Sequence, residues 1–144
     1  MKKHILLLAL VSLALISCRV EGCMDANAEN HNNDANVDDG TCYYESSIAL
    51  YFDNSTKTKL AASGVTRVNF YMDGVLQGGL NFDEVAYNGY KDCDSERVVA
   101  INQRYTQNSK LLKVIEVKNQ LDQSIDALNV EFTAGLCSAI EFDY

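Results

Sequence analysis

The chain has 144 residues, enough for one ordinary domain with small appendages. Hydrophobic residues make up 47% of it and charged residues 22%, a balance that folds instead of remaining a disordered polymer. The formal charge of −8 argues against a nucleic-acid binder, which needs surplus cations to displace phosphate counterions.

Lys2 and Lys3 precede an apolar run over residues 5–16 that only Ser12 interrupts. A bilayer core of about 30 Å takes about 20 helical residues, so this run is too short to span it. It predicts a secretory signal peptide over residues 1–17. Its end, Leu15-Ile16-Ser17-Cys18, resembles the lipobox of bacterial lipoproteins. The resemblance implies cleavage before Cys18, a diacylglycerol thioether on its sulfur and acylation of the new N-terminus. Several acyl chains exceed the single chain that anchors only marginally. Arg19 is not the aspartate associated with inner-membrane retention, so the expected address is the outer membrane, on its periplasmic or its extracellular face. Removal of Lys2, Lys3 and His4 leaves ten basic against 20 acidic residues, and His31 as the remaining histidine. Histidine catalysis and multi-histidine metal sites then have almost no material.

Lipidation of Cys18 leaves Cys23, Cys42, Cys93 and Cys137, an even set that in an exported chain predicts disulfides, with three connectivities. Cys23 and Cys42 are closest in sequence and bracket a compositionally distinct segment, so they are expected to pair. Cys93 and Cys137 follow by elimination. Closing loops of these lengths contributes roughly 3–4 kcal/mol each.

Residues 18–45 form a first unit. From Glu21 to Glu45 there are seven acidic residues and no Lys or Arg. Asn, Asp and Gly favour turns, and apolar side chains are too sparse here for a core. Gly22, Cys23, Asp25, Ala28, Asn30, Asn32, Ala35, Asp38, Asp39, Gly40, Cys42 and Tyr44 resemble, in register, a small module of secreted and lipid-anchored Bacteroidetes proteins. His31, Asn33 and Thr41 replace that pattern's Tyr, Pro and Ser. The resemblance implies lineage and export, and no settled activity. Calcium takes six to eight oxygen ligands, and Asp25, Asn30, Asn32, Asp38 and Asp39 are the candidate ligands of a weak site, with affinity of about 10⁻⁴–10⁻³ M. The spacing is not an EF-hand. The competing reading is a disulfide-pinned loop whose Asn and Asp side chains cap its own turns, with His31 as a packing residue.

Residues 46–144 read as strands. Ile48, Leu50 and Phe52 share one face of a strand over 48–52, and residues 68–72 alternate before Asp73-Gly74 and Val75-Leu76, a hairpin signal. Residues 97–105 and 110–118 predict a second strand pair across Thr106-Gln107-Asn108-Ser109. A strand over 125–132, with Leu128, Val130 and Phe132 inward, and a last one over 137–142 complete the set. Short strands at this spacing predict a single antiparallel β-sandwich, similar to immunoglobulin-like or fibronectin-III-like domains of bacterial surface proteins. Residues 78–95, from Gly78 to Ser95, lack a clean period and read as one irregular strand near 85–87 or a functional loop.

No G-x-S-x-G elbow, P-loop, H-E-x-x-H or zinc-type cysteine spacing is present, so the body is read as non-enzymatic. The acidic residues Asp83, Glu84, Asp92 and Asp94 read as solvated surface. Tyr71, Tyr87, Tyr90 and Tyr105 are the candidate binding face for a glycan or a protein. The alternative is a structural subunit of an outer-membrane or surface complex.

Overall fold

The computed structural model describes residues 19–84, 91–106 and 108–144; the leader and the lipobox, with Cys18, lie outside the described residues, as do Tyr87, Tyr90 and the strand expected near 85–87. A short parallel pair, β1 (Glu21–Gly22) and β2 (Val37–Asp38), lies in the N-terminal module. The body runs β3 (Tyr44–Tyr51), α1 (Asn54–Ala62), β4 (Arg67–Met72), β5 (Val75–Asn81), a 3₁₀ turn at Phe82–Glu84, β6 (Val99–Tyr105), β7 (Lys110–Asn119), β8 (Ser124–Thr133) and β9 (Cys137–Glu141).

These strands make two layers, a three-stranded sheet in the order β6-β3-β9 and a four-stranded sheet in the order β5-β4-β7-β8. The fold is mainly β and sandwich-like. Alternation sends Ile48 and Leu50 of β3, and Phe52 just beyond it, inward to meet Val68 and Phe70 of β4, Ile115 and Val117 of β7 and Val130 and Phe132 of β8. Phe52 and Phe82 meet edge to face with ring centroids 5.5 Å apart. The strand order differs from that of a constant-type immunoglobulin domain, whose first strand lies beside its second. Here β3 pairs with β6 and, in parallel, with β9, because α1 carries the chain from the end of β3 to β4 in the other sheet.

The pairings give the sandwich two distinct ends. β3, β7 and β9 start, and β6 and β8 finish, at the module end. The end of β3, the starts of β4 and β8, the end of β7 and the end of β9 lie at the other, which carries α1. The Asp73-Gly74 hairpin forms as expected, with φ of 52° and 77°, the signature of a type I′ turn. A register shift between Phe70 and Tyr71 then leaves Gln77 without a ladder partner on β4.

The sequence reading missed α1. Asp53 caps it by accepting from the Thr56 amide at 2.7 Å, and paired bonds from Gly64 N to Ala61 O and Val65 N to Leu60 O close its C-terminus. Only Thr56 and Leu60 are buried, so the helix presents no apolar stripe to read. β3 and β5 also run longer than expected: Gly78 to Asn81, placed in the irregular segment by sequence, belong to β5.

Both disulfides join the expected pairs. Cys23–Cys42 closes the module, and Cys93–Cys137 joins a loop to the first residue of β9. Cys137 shares an outward face with Ala139, so its bond draws residue 93 over the outer face of the three-stranded sheet.

The Phe132 side chain, fully buried where the sheets meet, sets one prediction. Phe132→Ala should lower stability by about 3–5 kcal/mol through lost transfer energy and a cavity. A second concerns the clasp: Cys93→Ser with Cys137→Ser should cost about 2–5 kcal/mol. Denaturant unfolding of the pair of variants checks both.

Candidate functional site

In the module, each of the five candidate calcium residues has at least one side-chain oxygen accepting a hydrogen bond from the protein. Asp25 Oδ1 accepts from the Asn27 amide at 2.9 Å, Asn32 Oδ1 from the Asp34 amide at 3.0 Å and Asp38 Oδ1 from the Gly40 amide at 3.1 Å. Asp39 Oδ1 accepts from both the amide and the hydroxyl of Thr41. Asn30 spans the loop, donating to Thr41 O and accepting from the Tyr43 amide, both at 2.9 Å. The bonds of Asp25, Asn32, Asp38 and Asp39 are Asx-type turns, the local bonding that makes Asn and Asp turn formers. Of the five residues, Asn30 and Asp39 meet at Thr41. Among the described residues no group of three or more His, Cys, Asp or Glu side chains stands ready to hold a metal ion. His31 is half-buried, and its amide donates to Ala28 O.

The module is docked on the sandwich. Tyr44, at the start of β3, donates its hydroxyl to Asp25 Oδ2 at 2.7 Å and stacks its ring on Tyr105 with centroids 5.7 Å apart. Tyr105 is buried, and its hydroxyl reaches the carbonyls of Ser109 and Phe132. This corrects its place in the expected binding face: Tyr105 points into the end of the sandwich because it pairs directly with inward-facing Tyr44. Arg104 covers the Tyr43 ring at 3.8 Å and pairs with Glu45. Sequence had divided the chain at residue 45; Cys23 and Ala28 nevertheless join the core of the body.

Tyr71 stands on the outer face of the four-stranded sheet. Its hydroxyl donates to Asp122 Oδ1 at 2.7 Å, and the Lys118 ammonium lies 4.6 Å from its ring centroid. The bond to Asp122 holds the phenol above its ordinary range, and Glu116, 3.0 Å from the Lys118 ammonium, raises that ammonium in turn. Beside Tyr71, the Arg67 guanidinium donates to Asn69 Oδ1 and Asn81 Oδ1, both at 2.7 Å. Gly79 leaves the room for this: a Cβ there would collide with Asn69 Oδ1 and lie 2.7 Å from Arg67 Nη2. The α1 half of this face is therefore a polar sheet of amides, a guanidinium and one tyrosine. Sequence offered Tyr71 but not Arg67, Asn69 or Asn81; the polar alternation opposite Val68 and Phe70 was the signal that marks them.

The other half of the same face is mixed: exposed Leu112 and Val114 stand in register with Glu131 and Asn129, and Glu131 pairs with Lys110 at 2.7 Å. A depression of about 590 Å³, bounded by Asp73, Leu112, Lys113, Val114, Asn129 and Val130, opens there, and the Lys113–Asp73 ion pair at 2.6 Å crosses its rim. In the loop after the 3₁₀ turn, Asp92 Oδ1 accepts from the Asp94 amide and the Ser95 hydroxyl, so this acidic pair builds a turn.

The chain matches no family model, and comparisons with curated proteins and with solved structures find no match.

The Tyr44–Asp25 joint sets a pH prediction. Backbone bonding from Asn27, then the Tyr44 hydroxyl, holds the Asp25 carboxyl below its ordinary range. The bond to Asp25 and burial push the Tyr44 phenol up to about 12. A depressed carboxyl contributes stability that is lost as pH falls through its folded value. A raised phenol keeps its proton longer folded than unfolded, so stability declines as pH climbs from about 10 to about 12. Melting temperature should therefore fall at both extremes, and Tyr44→Phe should lower it at neutral pH while flattening the alkaline limb. Asn30→Ala, which strands the Tyr43 amide, should cost about 1–3 kcal/mol in the same melts.

Proposed function

We propose that this chain is an exported protein held at the outer membrane by lipid on Cys18, and that its sandwich binds a ligand or partner without catalysing a reaction. The observation that carries the reading is the division of the cysteines. Of five, four are consumed in two disulfides, which leaves Cys18, the cysteine of the lipobox-like sequence, as the odd one. Disulfides persist in oxidising compartments, which the signal-peptide pattern independently supports.

The polar half of the outer sheet face supports the binding role. Arg67, Asn69 and Asn81 present donors and acceptors on a flat, half-buried surface, suited to the hydroxyls of a glycan or the backbone of a partner protein. The Tyr71 ring, approached by Lys118, adds an aromatic edge to it.

Replacing Cys18 decides the anchor. Cys18→Ser should yield uncut precursor or soluble protein on cell fractionation; unchanged size and membrane partitioning would overturn the reading. Protease treatment of intact cells then separates the two faces of the membrane.

A further inference from the structure

The anchor and the fold together give the molecule an orientation. Only Arg19 separates Cys18 from Val20, and Val20 is already part of the folded module. Its amide donates to Asn36 Oδ1 at 3.1 Å, and its carbonyl accepts from the amides of Asn36 and Val37 at 2.9 and 3.2 Å. Two residues of chain span at most about 7 Å. The folded module therefore starts within that distance of the lipid-bearing residue, and the Tyr44–Tyr105 stack and the Tyr44–Asp25 bond fix the module to one end of the sandwich.

From this we infer that the module end of the protein rests on the lipid surface, with α1 and the β7–β8 turn facing away from it. The inference rests on the lipid anchor proposed above. The distribution of exposed apolar side chains supports it independently. Met24 is in the module, Leu136 is in the β8–β9 turn at the module end, and Leu112 is two residues into β7, with exposures of 49%, 55% and 73%, while exposed Val75 and Leu76 lie at the β4–β5 hairpin between the two ends. Val114 follows Leu112 on the same face. Interfacial binding grows with buried apolar area, and Met24, Leu136, Leu112 and Val114 are at the end that the inference turns toward the lipid. At the α1 end, Leu121 and Tyr144 are the exposed large apolar residues among those described. The module's carboxylates oppose an anionic surface, so the occupant is a zwitterionic lipid face. The polar half of the outer sheet, with Arg67 and Asn81, is then carried away from the membrane.

The test uses the full chain, acylated in a bacterial host and reconstituted into phosphatidylcholine vesicles carrying a nitroxide on the headgroup. Leu112→Cys, Leu136→Cys and Leu121→Cys, each at an exposed position, carry a fluorophore in separate preparations. The labels at 112 and 136 should lose most of their emission, while the label at 121 keeps it. Protein that floats with the vesicles but is quenched equally at all three positions, or more strongly at 121, overturns the orientation and leaves the anchor standing. Protein that does not float overturns the anchor, and the orientation with it.

Discussion

Tyr44 joins three parts of the molecule through one side chain. Its ring closes the end of the sandwich against Tyr105, its hydroxyl holds Asp25 of the module, and its backbone opens β3. The module has too few apolar residues to fold by burial, and its disulfide constrains only its unfolded ensemble. What gives it a fixed place is this contact with a core it does not itself possess. Cys23 and Ala28 share that core, so module and sandwich behave as one folded body.

β3 transmits the constraint. It is the centre of its sheet, bonded to β6 on one side and β9 on the other, and its inward residues Ile48 and Leu50, with Phe52 just after it, are fully buried. Ala49, on the opposite face, is also fully buried and lies in register with Ala100 and Ala139. Ala100 and Ala139 are exposed, so small side chains line this face on either side of the buried Ala49. The outer face of the four-stranded sheet has a polar half near α1 and a mixed half near the module, where exposed Leu112 and Val114 stand opposite Glu131 and Asn129.

Period-2 alternation made the body legible: the strands carrying Val68, Phe70, Val130 and Phe132 are where the pattern puts them, because each has one wet and one dry face. Asp73-Gly74 was legible for a chemical reason, since both residues tolerate positive φ. α1 was not, because a helix that buries Thr56 and Leu60 alone leaves no 3.6-residue period; only the Asp53 cap and the Gly64 terminus mark it. Tyr105 was misplaced for a different reason. Alternation says which residues share a face, but only the pairing with Tyr44 says that this face turns inward at the end of the strand. In the module, composition identified the oxygen-rich residues and left open what they bond; the fold spends them on neighbouring amides. Arg67, Asn69 and Asn81 escaped notice because their grouping depends on the β4–β5 register and on the missing side chain at Gly79, neither of which sequence order displays.

The same division of the outer face bears on the proposal that a chain this acidic is both membrane-held and ligand-facing. Exposed Leu112 and Leu136 would be an association hazard on a freely diffusing protein. With the proposed anchor at their end, they would face a surface that tolerates them. The polar half gains from the opposite placement: its guanidinium and amides lie along β4 and β5 toward α1, about one strand length, or roughly 20–30 Å, from the module end. In the proposed orientation that distance would put them beyond the screening length of headgroup charge, about 8 Å at physiological ionic strength. A ligand approaching Arg67 therefore meets the field of the protein itself, in which the acidic module is equally remote.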